Sequence, residues 1–313
     1  MNDNSLQNSQ ENNQTYNQEE FKTEHEIAVD WREILTWVDD LPPMPHVASK
    51  VINLLSSPNT TSAELNEFLK KDTALSSKIL KIANSALFSR QREITGINQA
   101  VMLIGFQALK GIVVAATIRQ MNQTLSSIQK IIWDHSIATA MFSTNISKSL
   151  KKPYSDEMFL FGMLHSLGHF VILNYNETKN RFKDVMNLIK ENSCDYCTAE
   201  QEIFGFTHPL IGALVAKKWN FSAEICQIVL HYASSLESFK EENVQTEKTL
   251  ILKLSDILSH TLKLGSPEGY KDLTNDIVPI CKLIGFNKDT LNEDLQNIVE
   301  LTEKQYEAEK SIY

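Results

Sequence analysis

Glycine is scarce in this chain, ten in 313 residues, against an average usage near ~7%. Stretches of alternating apolar and polar residues are equally hard to find. Together these exclude a sheet of strands joined by tight turns, and an all-α protein is expected. Cysteine is also sparse. Cys194, Cys197, Cys226 and Cys281 are too few for a disulfide framework in a chain of this size. The pair in Cys194-Asp195-Tyr196-Cys197 has CxxC spacing but neither a second pair nor a strand-helix-strand context, so reduced structural thiols are expected. Positive charge is in deficit, with 30 Lys and Arg against 39 Asp and Glu and a formal charge of -9. That argues against a nucleic-acid partner, which needs clustered cations to neutralise phosphates. The doublets Lys70-Lys71, Lys151-Lys152 and Lys217-Lys218 are read as solvated helix faces. No apolar run is expected to reach the ~18 residues of a membrane span, and no N-terminal apolar leader is visible, so the expected location is the cytoplasm.

What is present is a normal complement of core-forming residues, 42% of the chain, laid out in helical periods. Residues 1–18 hold ten Asn or Gln and too little apolar surface to offset the entropy of ordering, so residues 1–28 are expected to be a disordered tail. Order is expected to begin with an amphipathic helix on Trp31, Ile34, Leu35 and Val38, ended by Leu41-Pro42-Pro43-Met44-Pro45, because proline lacks an amide donor and pushes its predecessor out of the α region. Short helices follow. One keeps Val47, Val51, Leu54 and Leu55 on a face. The next opens at Ser62 with Glu64 and Glu67 in its first turns, and a third is capped by Asp72 and carries Leu75, Ile79, Ile82 and Ala83. Asn84 and Ser85 read either as a polar packing element at a helix end or as a ligand-contacting motif. The run from Ile112 to Ile118 is expected to be a buried central helix.

In the second half, histidines fall on apolar faces. A long helix from Ser126 to Leu150 turns His135 inward with Ile132, Thr139, Phe142 and Ile146. Phe161-Gly162-Met163-Leu164-His165-Ser166-Leu167-Gly168-His169-Phe170-Val171-Ile172-Leu173 is read as one helical run with two histidines four residues apart. His208, followed by Pro209 at a first-turn position that tolerates proline, opens a helix with Ile211, Gly212, Val215 and Trp219. His231 ends another. Asp256 stands among Leu254, Ile257 and Leu258, where an acid is costly unless paired.

Leu41-Pro42-Pro43-Met44-Pro45, the Asp72 cap, Leu80-Lys81-Ile82-Ala83-Asn84-Ser85 and Ile97-Asn98-Gln99-Ala100-Val101-Met102-Leu103-Ile104-Gly105 together resemble the HDOD family over roughly residues 35–260. The resemblance implies a helical bundle, taken as residues 29–122, packed on a half derived from the HD phosphohydrolases, taken as 123–313. The order His135, His165, His208, His231, Asp256 is similar to the ligand order of the dinuclear branch of those enzymes. In that branch, the resemblance implies, an Asp after the motif His bridges two ions, a Lys holds substrate phosphate, and a second His follows the one matching His231. Here those positions are Ser166, His169 and Tyr232. A hydroxyl has neither the charge nor the reach to bridge two ions, so no cofactor is expected. Three readings stay open: core histidines bonded to Asp256 and carbonyls, one divalent ion held by His135, His165 and Asp256, or residual hydrolysis. The resemblance implies a non-catalytic bacterial signalling module with a protein partner and a nucleotide as a further candidate ligand. The alternative is a metal-dependent phosphohydrolase acting on a nucleotide or cyclic dinucleotide.

Overall fold

The structure, a computed structural model, describes residues 43–57, 59–69, 72–88 and 93–312. The expected tail, the helix on Trp31 to Val38 and Leu41-Pro42 lie outside the described residues. Among those described there are fifteen α-helices and no strand, as expected from the sparse glycine. Three short helices, α1 (His46–Ser56), α2 (Ser62–Leu69) and α3 (Thr73–Ala83), pack on the long α4 (Ile97–Met121). Local chemistry sets their ends. Asp72 Oδ1 accepts from the Leu75 amide at 2.9 Å. At α2 the reciprocal cap belongs to Thr61 and Glu64, whose carboxylate accepts from the Thr61 amide at 2.9 Å, and not to Ser62. Gly105, at φ 79°, breaks α4 with a conformation that strains any side chain.

By length and composition α4 could cross a membrane, which corrects the expectation that no stretch approaches that size. In this fold 67% of its apolar window is buried inside the protein. It serves here as the central core helix, packed between α1 to α3 and the second half.

That half begins with α5 (Ser127–Ser149), started by a reciprocal cap between Ser126 and Gln129. It continues through α6 (Met158–Leu164), α7 (Leu167–Asn174), α8 (Asn176–Lys179), α9 (Phe182–Asn192), α10 (Tyr196–Phe204), α11 (His208–Lys218), α12 (Ala223–His231), α13 (Val244–Thr261), α14 (Ile277–Ile284) and α15 (Leu291–Glu309). Two apolar cores result, and α5 runs between them: Ile137 and Met141 enter the larger, Phe142 and Ile146 the smaller. The larger core is continuous across residue 122, with Ile118 and Ile132 both in it. Phe142 is fully buried, and burial of such a side chain contributes about 1.5–3 kcal/mol.

The run from Phe161 to Leu173 is two helices rather than one. The chain bends at His165-Ser166, where Ser166 sits at φ -92°, ψ 5° and the His169 amide bonds back three residues to the Ser166 carbonyl at 3.1 Å. The bend lets α6 and α7 press against different partners. A Cβ on Gly162 would lie 2.2 Å from Ala140 Cα of α5, and one on Gly168 would lie 2.0 Å from the His208 carbonyl of α11. His165 and His169 are therefore carried into two separate groups.

Candidate functional site

The first group gathers around Asp256 of α13. His135 Nε2 of α5 lies 3.0 Å from Asp256 Oδ1, within hydrogen-bond reach, while His165 Nε2 stands at 3.8 Å and His260 Nε2 at 3.7 Å. His165 faces the Gly162 carbonyl through Nδ1 at 2.5 Å. A carbonyl only accepts, so that nitrogen carries the proton, and Nε2 accepts from the Ser166 hydroxyl at 2.9 Å. Ser166 therefore engages its neighbour rather than bridging anything. His260, one turn past Asp256, stacks between His135 (4.0 Å between ring centroids) and Tyr270 (3.7 Å), with Nδ1 3.1 Å from the Ser266 hydroxyl. Burial, with His135 beside it, pushes His165 down to about 3. Burial works to raise Asp256, but the imidazoles outweigh it and hold the carboxyl below its usual range. Asp256 keeps 13% of its side chain accessible, so the group opens to solvent there.

The second group gathers around Glu200 of α10, which has no exposed surface. Glu200 Oε2 accepts from both the backbone amide and Nδ1 of His208, each at 2.7 Å. Glu200 thus caps the first turn of α11, where Thr207 offers no side-chain bond. With Nδ1 protonated, His208 Nε2 accepts from the Tyr232 hydroxyl at 2.6 Å. The result is a closed Glu200–His208–Tyr232 chain. His169 lies flat on His208, ring centroids 3.6 Å apart, its Nε2 2.9 Å from Glu200 Oε1 but off the axis of a hydrogen bond. Burial, with His208 beside it, pushes His169 down to about 4. Burial works to raise Glu200, yet His208 and His169 hold it down at about 2. The rings of His165 and Tyr232 meet edge to face at 5.3 Å, which places the two groups side by side.

The structure thus divides the expected ligand set. His135, His165 and Asp256 come together, while His208 joins His169 and Tyr232. His231 enters neither group, since its Nε2 bonds Gln227 of its own helix at 3.0 Å. Asn84 secures backbone, donating to the Leu80 and Ile94 carbonyls at 2.8 Å each and accepting from the Ile94 amide at 2.7 Å. Ser85 is buried beside it. Sequence reading missed Glu200, His260 and Tyr270. Of these only His260 carried a signal, its i+4 spacing from Asp256 on one helix face.

A dinuclear centre does not fit these residues. Ser166 stands where the resemblance implies a bridging carboxylate, and His208, a candidate for the second ion, already has Glu200 on one nitrogen and Tyr232 on the other. A single ion fits better. His135, Asp256 and His260 offer donor atoms within 4.8 Å of one another, as do His169, Glu200 and His208. The first trio includes His260 where the sequence reading had His165, whose Nε2 is occupied by Ser166.

The helices of the described residues, with no strand among them, define an HD-like helical module. The model of the HDOD domain family matches residues 41–235, and the chain belongs to that family. A curated protein of Treponema pallidum, uncharacterized, is 21% identical over 61% of this chain and 37% of its own length. The uncharacterized protein YuxH of Bacillus subtilis is 25% identical over 36% of this chain and 28% of its own. The chain thus spans well under half of either relative. Among solved structures, an HDOD domain protein of unknown function from Geobacter sulfurreducens shares the fold at TM-score 0.70, with 22% identity over 88% of this chain and 96% of that one. A Shewanella amazonensis protein whose name proposes a phosphohydrolase matches at TM-score 0.66, with 22% identity over 87% and 97%. A Marinobacter aquaeolei protein whose name proposes signal transduction matches at 0.65, with 18% identity over 92% and 66%.

Proposed function

We propose that this chain is a non-catalytic regulatory module of bacterial signal transduction, acting in the cytoplasm by binding a protein partner. The observation that carries this reading is the Glu200–His208–Tyr232 chain: the imidazole in position for a second ion has both nitrogens occupied, one by a carboxylate and one by a phenol. Ser166 adds to it, because its hydroxyl bonds His165 and supplies no charge with which two ions could activate water. A nucleotide is a second candidate ligand, through the family resemblance alone. A single divalent ion on His135, Asp256 and His260 is compatible with this role. When bound it would supply positive charge beside Asp256 and tie α5 to α13.

The second reading is a metal-dependent phosphohydrolase acting on a nucleotide or cyclic dinucleotide. It is favoured by the solvent-open Asp256 group and by the name of the Shewanella protein. Assays with phosphomonoesters and cyclic dinucleotides in the presence of Mn, Fe or Zn separate the two. No turnover above the metal-only control is expected. Metal-dependent turnover that His165→Ala abolishes would overturn the non-catalytic reading.

A further inference from the structure

At the end of α3 the chain turns through Asn84-Ser85-Ala86-Leu87, a turn fixed by the three bonds of Asn84 to the Leu80 and Ile94 backbone. The groups that follow Asn84 find their acceptor in a distant part of the chain. The Ala86 amide donates to Glu309 Oε1, 223 residues away in sequence. The Ser85 hydroxyl and the Leu87 amide face the same carboxylate. Ser85 is 1% exposed and Glu309 4%. Among the described residues the groups holding the carboxylate are neutral donors, and Glu309 Oε2 has no hydrogen-bond partner there.

Glu309 belongs to the last turn of α15, and it lies beyond the residues matched by the family model. That helix rides on α5, where Asn145 donates to Thr302 at 2.9 Å and to Gln305 at 2.7 Å. Its final turn crosses to the α3 turn, whose Leu87 carbonyl also receives Lys148 of α5 at 3.2 Å. We propose that the Ser85–Leu87 turn is a carboxylate-binding site with Glu309 as its built-in ligand, and that α15 is a latch over a site an acidic side chain of a partner protein can take. Ordinary packing would be served at lower cost by an apolar side chain. A buried acid with no cation paired to it among the described residues and one oxygen unpaired is an expensive filler, whereas converging amides and a hydroxyl are what recognises a carboxylate. The same imbalance makes the latch releasable, since burial pulls Glu309 up from the usual carboxylate range and the three donors offset this only in part. This inference stands whether or not the histidine groups are inactive.

The test uses the full chain as Glu309→Ala and Glu309→Gln, read by amide hydrogen exchange. Exchange at Ala86, Leu87 and the last two turns of α15 should rise at least about tenfold in Glu309→Ala, with α5 unchanged, as expected for a local opening. Sodium formate should restore protection at Ala86 and Leu87 saturably, while sodium chloride at equal ionic strength should not. Should Glu309→Ala fail to fold, Glu309→Gln keeps the shape and should still raise exchange at the same amides. Unchanged protection in the folded variants, loss spread through α5, or no response to formate would overturn the proposal.

Discussion

The groups around Glu200 and Asp256 use the same side chains to opposite ends. Glu200 is sealed from solvent and receives a backbone amide and an imidazole N–H, with a second imidazole laid against the first. The far nitrogen of His208 ends on a phenol. Asp256 makes one short contact with an imidazole, holds two others at 3.7 and 3.8 Å, and keeps an edge in solvent. Neither acid lies against a Lys or Arg among the described residues, so imidazoles must compensate both. In the first arrangement both nitrogens of His208 are taken, while Glu200 Oε1 and the ring nitrogens of His169 make no hydrogen bond among the described residues. The second keeps an edge open to solvent, whereas in the first the Tyr232 hydroxyl closes the chain on His208 Nε2.

The comparison breaks most visibly if the central acids are removed. Glu200→Ala strands the His208 amide and the buried His208 imidazole, and should cost about 3–5 kcal/mol, the range for breaking a buried charged network. Asp256→Ala, at a rim water can reach, should cost less, about 1–3 kcal/mol. Urea unfolding midpoints check both, and equal losses would erase the distinction between closed and open groups.

Acid provides a milder probe. His165 at about 3 and His169 at about 4 both lie below the ordinary ~6.5 of an unfolded chain. As pH falls below ~6.5, the unfolded state takes up protons that the folded state refuses. Stability should therefore drop by up to about 1.4 kcal/mol per pH unit for each histidine. Glu200 at about 2 contributes stability that is present above its ordinary pKa near ~4.5 and is lost as pH falls through the folded value. Stability measured at pH 7, 6 and 5 should decline, and His169→Gln should flatten part of the slope. A level profile would mean that these rings titrate freely. The smallest effect belongs to Tyr232→Phe, which leaves His208 Nε2 without its donor and should cost about 1–2 kcal/mol. No loss would show that the phenol is not holding the imidazole.

Much of the fold was legible because its causes are local. The Asp72 cap and Pro209 in a first turn act through neighbours in sequence. The bend at His165-Ser166 was not legible, because its apolar flanks keep helical spacing through it; tertiary fit at Gly162 and Gly168 requires the two directions. The site was legible in part for the same reason. His135, His165 and Asp256 sit on visible apolar faces, but Glu200 shares its helix with exposed and half-buried polar residues. Its partner His208 is eight residues away across a loop, where no periodicity reaches. The Glu309 contact spans most of the chain and was invisible.

The central claim is that His208 is unavailable to a metal because Glu200 and Tyr232 hold its two nitrogens. Side-chain 15N NMR of the histidines, with and without Zn, measures this directly. The account predicts that His208 keeps the neutral tautomer protonated at Nδ1, with resonances unmoved by Zn even where those of His135 or His260 shift. A metal-coordinated shift at His208 Nε2 in the wild-type chain would contradict it.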